Sequence, residues 1–140
     1  MVGDTLALTP PMGWNSWYCY LLSVSQELME RAADAMVASG MKDHGYTYVN
    51  IDDGWMTAPE SKDPMNAGPE LGPTGAIRPN AKFPSMKGLA DYIHARGLKA
   101  GLYTSPGPRT CGGHTGSFGH EAQDARQFAD WGYDFLKYDW

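Results

Sequence analysis

Phe135-Leu136-Lys137-Tyr138-Asp139-Trp140 is the stretch that decides how this chain is read. Two apolar residues lead into a lysine and a carboxylate spaced i, i+2. On a strand that spacing puts both side chains on one face. Unpaired buried charge is too costly to arise by accident, so a strand that aims a cation and an anion the same way has a use. In a (β/α) barrel the C-terminal strand ends are where the chemistry sits. The stretch therefore reads as one part of an active site whose remainder lies outside these residues.

Working back from it, one pattern recurs three times. A helix stops at Gly40, Gly97 or Gly132, a strand follows, and the strand ends in polar or aromatic residues. The strand at 46–51 runs into Asp52-Asp53-Gly54-Trp55, and that at 98–103 into Thr104-Ser105-Pro106-Gly107. An extended entry over 5–18, set by Pro10 and Pro11, contains a further short strand at 12–14. Ser23 or Ser25 caps the first helix, Ser23 forming a Ser-x-x-Gln box with Gln26. Its inward face is expected to be Leu28, Ala32, Ala35, Met36 and Ser39. Ser85 caps the second helix, with Met86, Leu89, Ala90 and Ile93 inward. The third spans 120–131, with Ala122, Ala125, Phe128 and Ala129 inward. Between these elements lie a Pro/Gly-rich loop at 56–84 and a second loop at 108–119. Loops this long in a compact domain are usually functional.

Regular strand–helix alternation implies a parallel sheet, and long loops on one side only imply a (β/α)8 TIM barrel. A doubly wound sheet would carry a glycine-rich phosphate fingerprint after its first strand, and none is there. Four strands and three helices make about the first half of a barrel, against ~250 residues for a whole one. Residues 1–140 are thus expected to be the N-terminal part of a larger catalytic domain, or a half-barrel.

A net charge of −5 and the lack of a basic run argue against nucleic acid or an anionic membrane as partner. No apolar run approaches the ~20 residues of a membrane span. Five Trp and eight Tyr are many for 140 residues. Flat rings beside carboxylates suit sugars, although the same rings also serve a core. Cys19 and Cys111 are too few for a disulfide framework. Met1-Val2-Gly3-Asp4 lacks the regions of a signal peptide, which fits either a cytosolic protein or one whose signal has been removed.

The residues alone leave roles open. Asp52-Asp53 before Gly54 reads as a turn or cap pair, or, beside Trp55, as a clamp for vicinal sugar hydroxyls. A metal would need further ligands, and His114 and His120 lack ligand spacing, so no metal is expected. Lys137 and Asp139 fit a structural ion pair, a Schiff-base amine of lowered pKa, or a nucleophilic carboxylate with a lysine holding substrate.

Pro11-Met12-Gly13-Trp14-Asn15-Ser16-Trp17 and Asn50-Ile51-Asp52-Asp53-Gly54-Trp55 resemble glycoside hydrolase family 27, the α-galactosidase / α-N-acetylgalactosaminidase family. So do Gly101-Leu102-Tyr103, Thr110-Cys111-Gly112-Gly113, Gly116-Ser117-Phe118-Gly119 and Leu136-Lys137-Tyr138-Asp139, all in order. The resemblance implies a (β/α)8 catalytic barrel followed by a β-sandwich, of which this chain matches the first half of the barrel. It implies retaining hydrolysis of terminal α-D-galactosides by double displacement, with Asp139 as nucleophile kept ionised by Lys137. Related specificities are α-N-acetylgalactosamine and β-L-arabinopyranose. Asp52 and Asp53 match ligands of the galactose hydroxyls, Lys137 another hydroxyl ligand, and Trp17 and Tyr103 rings that line the sugar.

Cys111, counted with that substrate-binding set, matches a cysteine bonded to one just after the nucleophile strand, beyond Trp140. Gly54 stands where many animal members have a cysteine, which leaves Cys19 a free thiol. The general acid/base and a site arginine would lie on later strands, and no cofactor is implied. A secreted or periplasmic parent protein is expected. Val49, Ile51, Leu102 and Leu136 are expected to face the open interior of the half-barrel. With edge strands unpaired, the chain should recruit its missing half, self-associate, or belong to a longer protein. The competing expectation is an assembling half-barrel without catalysis.

Overall fold

The computed structural model describes residues 8–140. The first part of the extended entry, 5–7, and the Met1-Val2-Gly3-Asp4 start lie outside the described residues. Four parallel strands stand in chain order: β1 (Gly13–Asn15), β2 (Tyr48–Ile51), β3 (Lys99–Thr104) and β4 (Phe135–Tyr138). Between them run α1 (Trp17–Tyr20), α2 (Gln26–Ala38), α3 (Met86–His94) and α4 (Glu121–Trp131). Every strand neighbours the next in sequence through a helical crossover, which is the first half of a (β/α)8 barrel.

Alternation along the strands sorts residues to two faces. Val49, Ile51, Ala100 and Leu102 are buried in one cluster with Met29, Ala33 and Met36 of α2 and Met86, Leu89, Ala90 and Ile93 of α3. Val49, Ile51 and Leu102 therefore face the helices, not an open interior. Leu136 shares their parity through its pairing with Leu102 and is 39% exposed. The barrel interior receives the alternate residues instead, among them Tyr48, whose ring meets Phe135 edge-on at 5.8 Å.

Of the helices, α3 matches its expectation in cap and face. The Ser85 hydroxyl accepts from the Gly88 N–H at 3.0 Å, and Gly97 closes the far end at φ 69°. On α2 the cap is Ser25, accepting from Leu28 at 3.3 Å, while Ser23 lies in a separate 3-10 turn, Leu21–Ser23. Its buried face is Met29, Ala33 and Met36; Met36 is as expected, while Met29 and Ala33 replace Leu28 and Ala32, and Ala35 and Ser39 are exposed. On α4 the buried residues are Asp124 and Phe128, whereas Ala122, Ala125 and Ala129 are exposed. Ala125 and Ala129 border a groove beside Leu136, on a side that no neighbouring unit covers among the described residues.

The long loop is packed. Ile77 and Phe83 are buried, and the Asn80 amide donates to the carbonyls of Gly54 and Met56 at 2.8 and 2.9 Å.

Candidate active site

Strands β2, β3 and β4 end side by side, and the polar residues of the sequence reading collect there. Asp52, one residue past β2, is 2% exposed. Its Oδ2 accepts from Asn15 Nδ2 at 2.8 Å and from Lys137 Nζ at 3.0 Å, while Oδ1 accepts the Asp53 N–H at 2.8 Å. Lys137 also reaches Asp139 Oδ2 at 3.4 Å and lies 5.0 Å from the centre of the Tyr103 ring. One ammonium thus joins two carboxylates and an aromatic face from three neighbouring strands.

Burial works against the charge on Lys137, but the hydrogen bonds and charges of Asp52 and Asp139 outweigh it and hold its pKa above the ordinary lysine value. A Schiff-base lysine must lose its proton readily, so this environment opposes that role. The ion pair exists, and its anion Asp139 is half exposed, with its backbone N–H fixed on the Thr104 carbonyl at 3.1 Å.

Asp53 is 1% exposed and engages a different part of the chain. Oδ1 accepts from Thr110 Oγ1 at 2.8 Å, and Oδ2 from the Gly112 N–H at 2.7 Å. A Cβ on Gly112 would lie 2.8 Å from Asp53 Oδ2 and 2.6 Å from Leu22 Cδ2, so glycine is what lets the turn close on the carboxylate. His114 Nδ1 stands 3.6 Å from Asp53 Oδ1. Burial, then the Asp53 charge, push the Tyr103 phenol far above its usual range, so it is neutral at any working pH.

Trp17 opens α1 half-buried, its backbone N–H donating to Asn15 Oδ1 at 2.9 Å. Asn15 therefore fixes Trp17 and Asp52 together. Asn15, Thr110 and His114 were not among the expected ligands. For Asn15 the available signal was a polar residue closing a strand on the inward parity.

Trp55 adds no open ring beside the Asp52-Asp53 pair. It is fully buried, edge-on to Phe128 and Trp131 at 5.7 and 5.9 Å, and its Nε1–H donates to the Tyr103 carbonyl at 2.8 Å. Cys19 and Cys111 are exposed free thiols and no disulfide occurs among the described residues; the partner expected for Cys111 lies beyond Trp140. No group of three His, Cys, Asp or Glu side chains able to hold a metal occurs among the described residues.

A family profile described as alpha galactosidase A matches residues 9–140. The chain belongs to that family. Alpha-galactosidase A of Cellvibrio japonicus is 49% identical across 98% of this chain, which spans 31% of that relative's length. The crystal structure of alpha-galactosidase I from Mortierella vinacea superposes with a TM-score of 0.87 at 45% identity, over 98% of this chain and 32% of that one. An alpha-galactosidase of Saccharomyces cerevisiae solved with raffinose matches at a TM-score of 0.83 and 36% identity, over 95% of this chain and 27% of its own. The chain thus spans about a third of the length of these members of the family.

Proposed function

We propose that residues 1–140 are the N-terminal part of the (β/α)8 catalytic domain of a retaining α-galactosidase, carrying its nucleophile and most of its galactose ligands. The observation that carries this reading is Lys137, which donates to buried Asp52 past the end of β2 and forms an ion pair with Asp139 past the end of β4. Asp139 attacks the anomeric carbon as the bond to the leaving oxygen breaks. A carboxylic acid on a later strand protonates that oxygen, and water then hydrolyses the covalent glycosyl-enzyme. Retention sets the two carboxyls ~5 Å apart across the bond.

An ammonium has three protons. One of those on Lys137 bonds Asp52 and the charge faces Asp139 at 3.4 Å, which leaves a proton for a sugar hydroxyl. Asp52 and Asp53 accept other hydroxyls through their remaining lone pairs, while Trp17 and Tyr103 line the ring and Cys111 stands at the rim. The parent protein is proposed to be secreted or periplasmic.

The test is Asp139→Asn in the whole catalytic domain containing this chain, with a chromogenic α-galactoside. The amide keeps the shape and loses the nucleophile, so turnover should vanish while galactose still binds. Retention of more than about a hundredth of the rate, against the ~10²–10⁴-fold typical of one catalytic group, removes Asp139 from that role. Parallel assays with an α-N-acetylgalactosaminide and a β-L-arabinopyranoside fix the sugar.

A further inference from the structure

Behind Asp53 lies a buried histidine that the proposed mechanism does not use. His114 closes a tight turn, with the Thr110 N–H donating to its carbonyl at 2.9 Å and its own N–H donating to Thr110 Oγ1 at 3.0 Å. The turn is fastened to the long loop: Thr115 N and Oγ1 both donate to the Thr57 carbonyl, at 3.0 and 2.9 Å, and Arg109 pairs with Glu70. His114 is 3% exposed, and neither ring nitrogen has a hydrogen-bond partner among the described residues. Leaving such groups unpaired is costly. Among the described residues the acid beside the ring is Asp53, at 3.6 Å, too far for a hydrogen bond and near enough for an ion pair.

The charged and titratable groups around this ring come from four parts of the chain. Asp53 approaches from the end of β2, and Tyr103 and Cys111 flank that carboxylate from β3 and from the turn. Lys82 approaches from the long loop, its Nζ donating to the Leu22 carbonyl at 2.6 Å. Burial lowers the His114 pKa; Asp53 opposes that and Lys82 adds to it.

We propose that His114 is a positioning residue whose protonation state sets how much of the Asp53 carboxylate is free to accept a sugar hydroxyl. As neutral imidazole with its proton on Nε2 it leaves the second lone pair of Oδ1 open beside the Thr110 hydrogen bond. As imidazolium its Nδ1–H closes the 3.6 Å gap into a charge-assisted hydrogen bond and turns the carboxylate inward. Galactoside binding then weakens in acid, while Asp139, on another strand, is untouched. This rests on the α-galactosidase reading, since it takes Asp53 as a hydroxyl ligand.

The experiment measures KM and kcat for a chromogenic α-galactoside from pH 7 to pH 5, in the whole catalytic domain and its His114→Gln and His114→Phe variants. Wild-type KM should rise about fivefold or more on acidification, as loss of ground-state binding does. Both variants should flatten that rise while the kcat profile keeps its shape. An equal rise in all three overturns the proposal and leaves the activity standing. Absence of turnover and of galactose binding at every pH overturns both. Should the variants fail to fold, histidine NMR on the wild type decides. Saturating galactose should lower the His114 pKa by reciprocal linkage, and an unmoved titration overturns the role.

Discussion

Asp52 and Asp53 are adjacent in sequence, yet opposite parts of the chain hold them. Asp52 ties β1 to β4 through Asn15 and Lys137, whereas Asp53 ties β2 to the turn at 110–114. From the sequence, their loss should harm galactoside binding far more than folding. The hydrogen bonds change that expectation for Asp53. In Asp53→Leu a side chain of similar size accepts neither hydrogen bond, so the buried Thr110 hydroxyl and the Gly112 N–H both lose their partner. The variant should lose about 1–3 kcal/mol of stability as well as galactoside affinity. Urea denaturation beside galactose binding tests this, and full stability with lost affinity would show the turn to be indifferent to Asp53.

At the scale of elements, α3 was legible because its cap Ser85, its apolar stripe and its stop at Gly97 all agree. On α2, apolar and small residues surround the axis, so counting them cannot choose between Leu28 and Met29 as the anchor. The structure chooses Met29, fully buried, over half-buried Leu28. Met29→Ala should therefore cost about 2–5 kcal/mol and Leu28→Ala distinctly less, read from denaturation midpoints. Equal costs would restore the expected stripe. On α4 the buried face includes Asp124, whose carboxyl is pushed up by burial and accepts the Ile77 N–H at 3.4 Å. A polar residue in a core face is invisible to an apolar count. The site divides the same way. Lys137 and Asp139 announce themselves by spacing on one strand, but Asn15 meets Asp52 across 37 residues and Thr110 meets Asp53 across 57. Such roles come from the fold, not from local pattern.

At the scale of the molecule, β1 and β4 each have one edge without a strand partner among the described residues. Beside β4, Leu136, Tyr138 and Trp140 are 39%, 48% and 86% exposed. Unpaired edges and apolar surface of this kind favour association. The 140-residue chain alone should be self-associated at working concentration and inactive, because the proposed mechanism takes its second carboxyl from a later strand. Sedimentation with an α-galactoside assay checks both, and a clean monomer that hydrolysed the substrate would defeat them. Since strand order in the sheet repeats order in the sequence, each of β2, β3 and β4 pairs with a strand made before it. On the ribosome, at ~5–20 residues per second, β2 can dock on β1 several seconds before β3 emerges. The sheet can thus grow at the pace of its own translation, each new strand meeting an edge already in place.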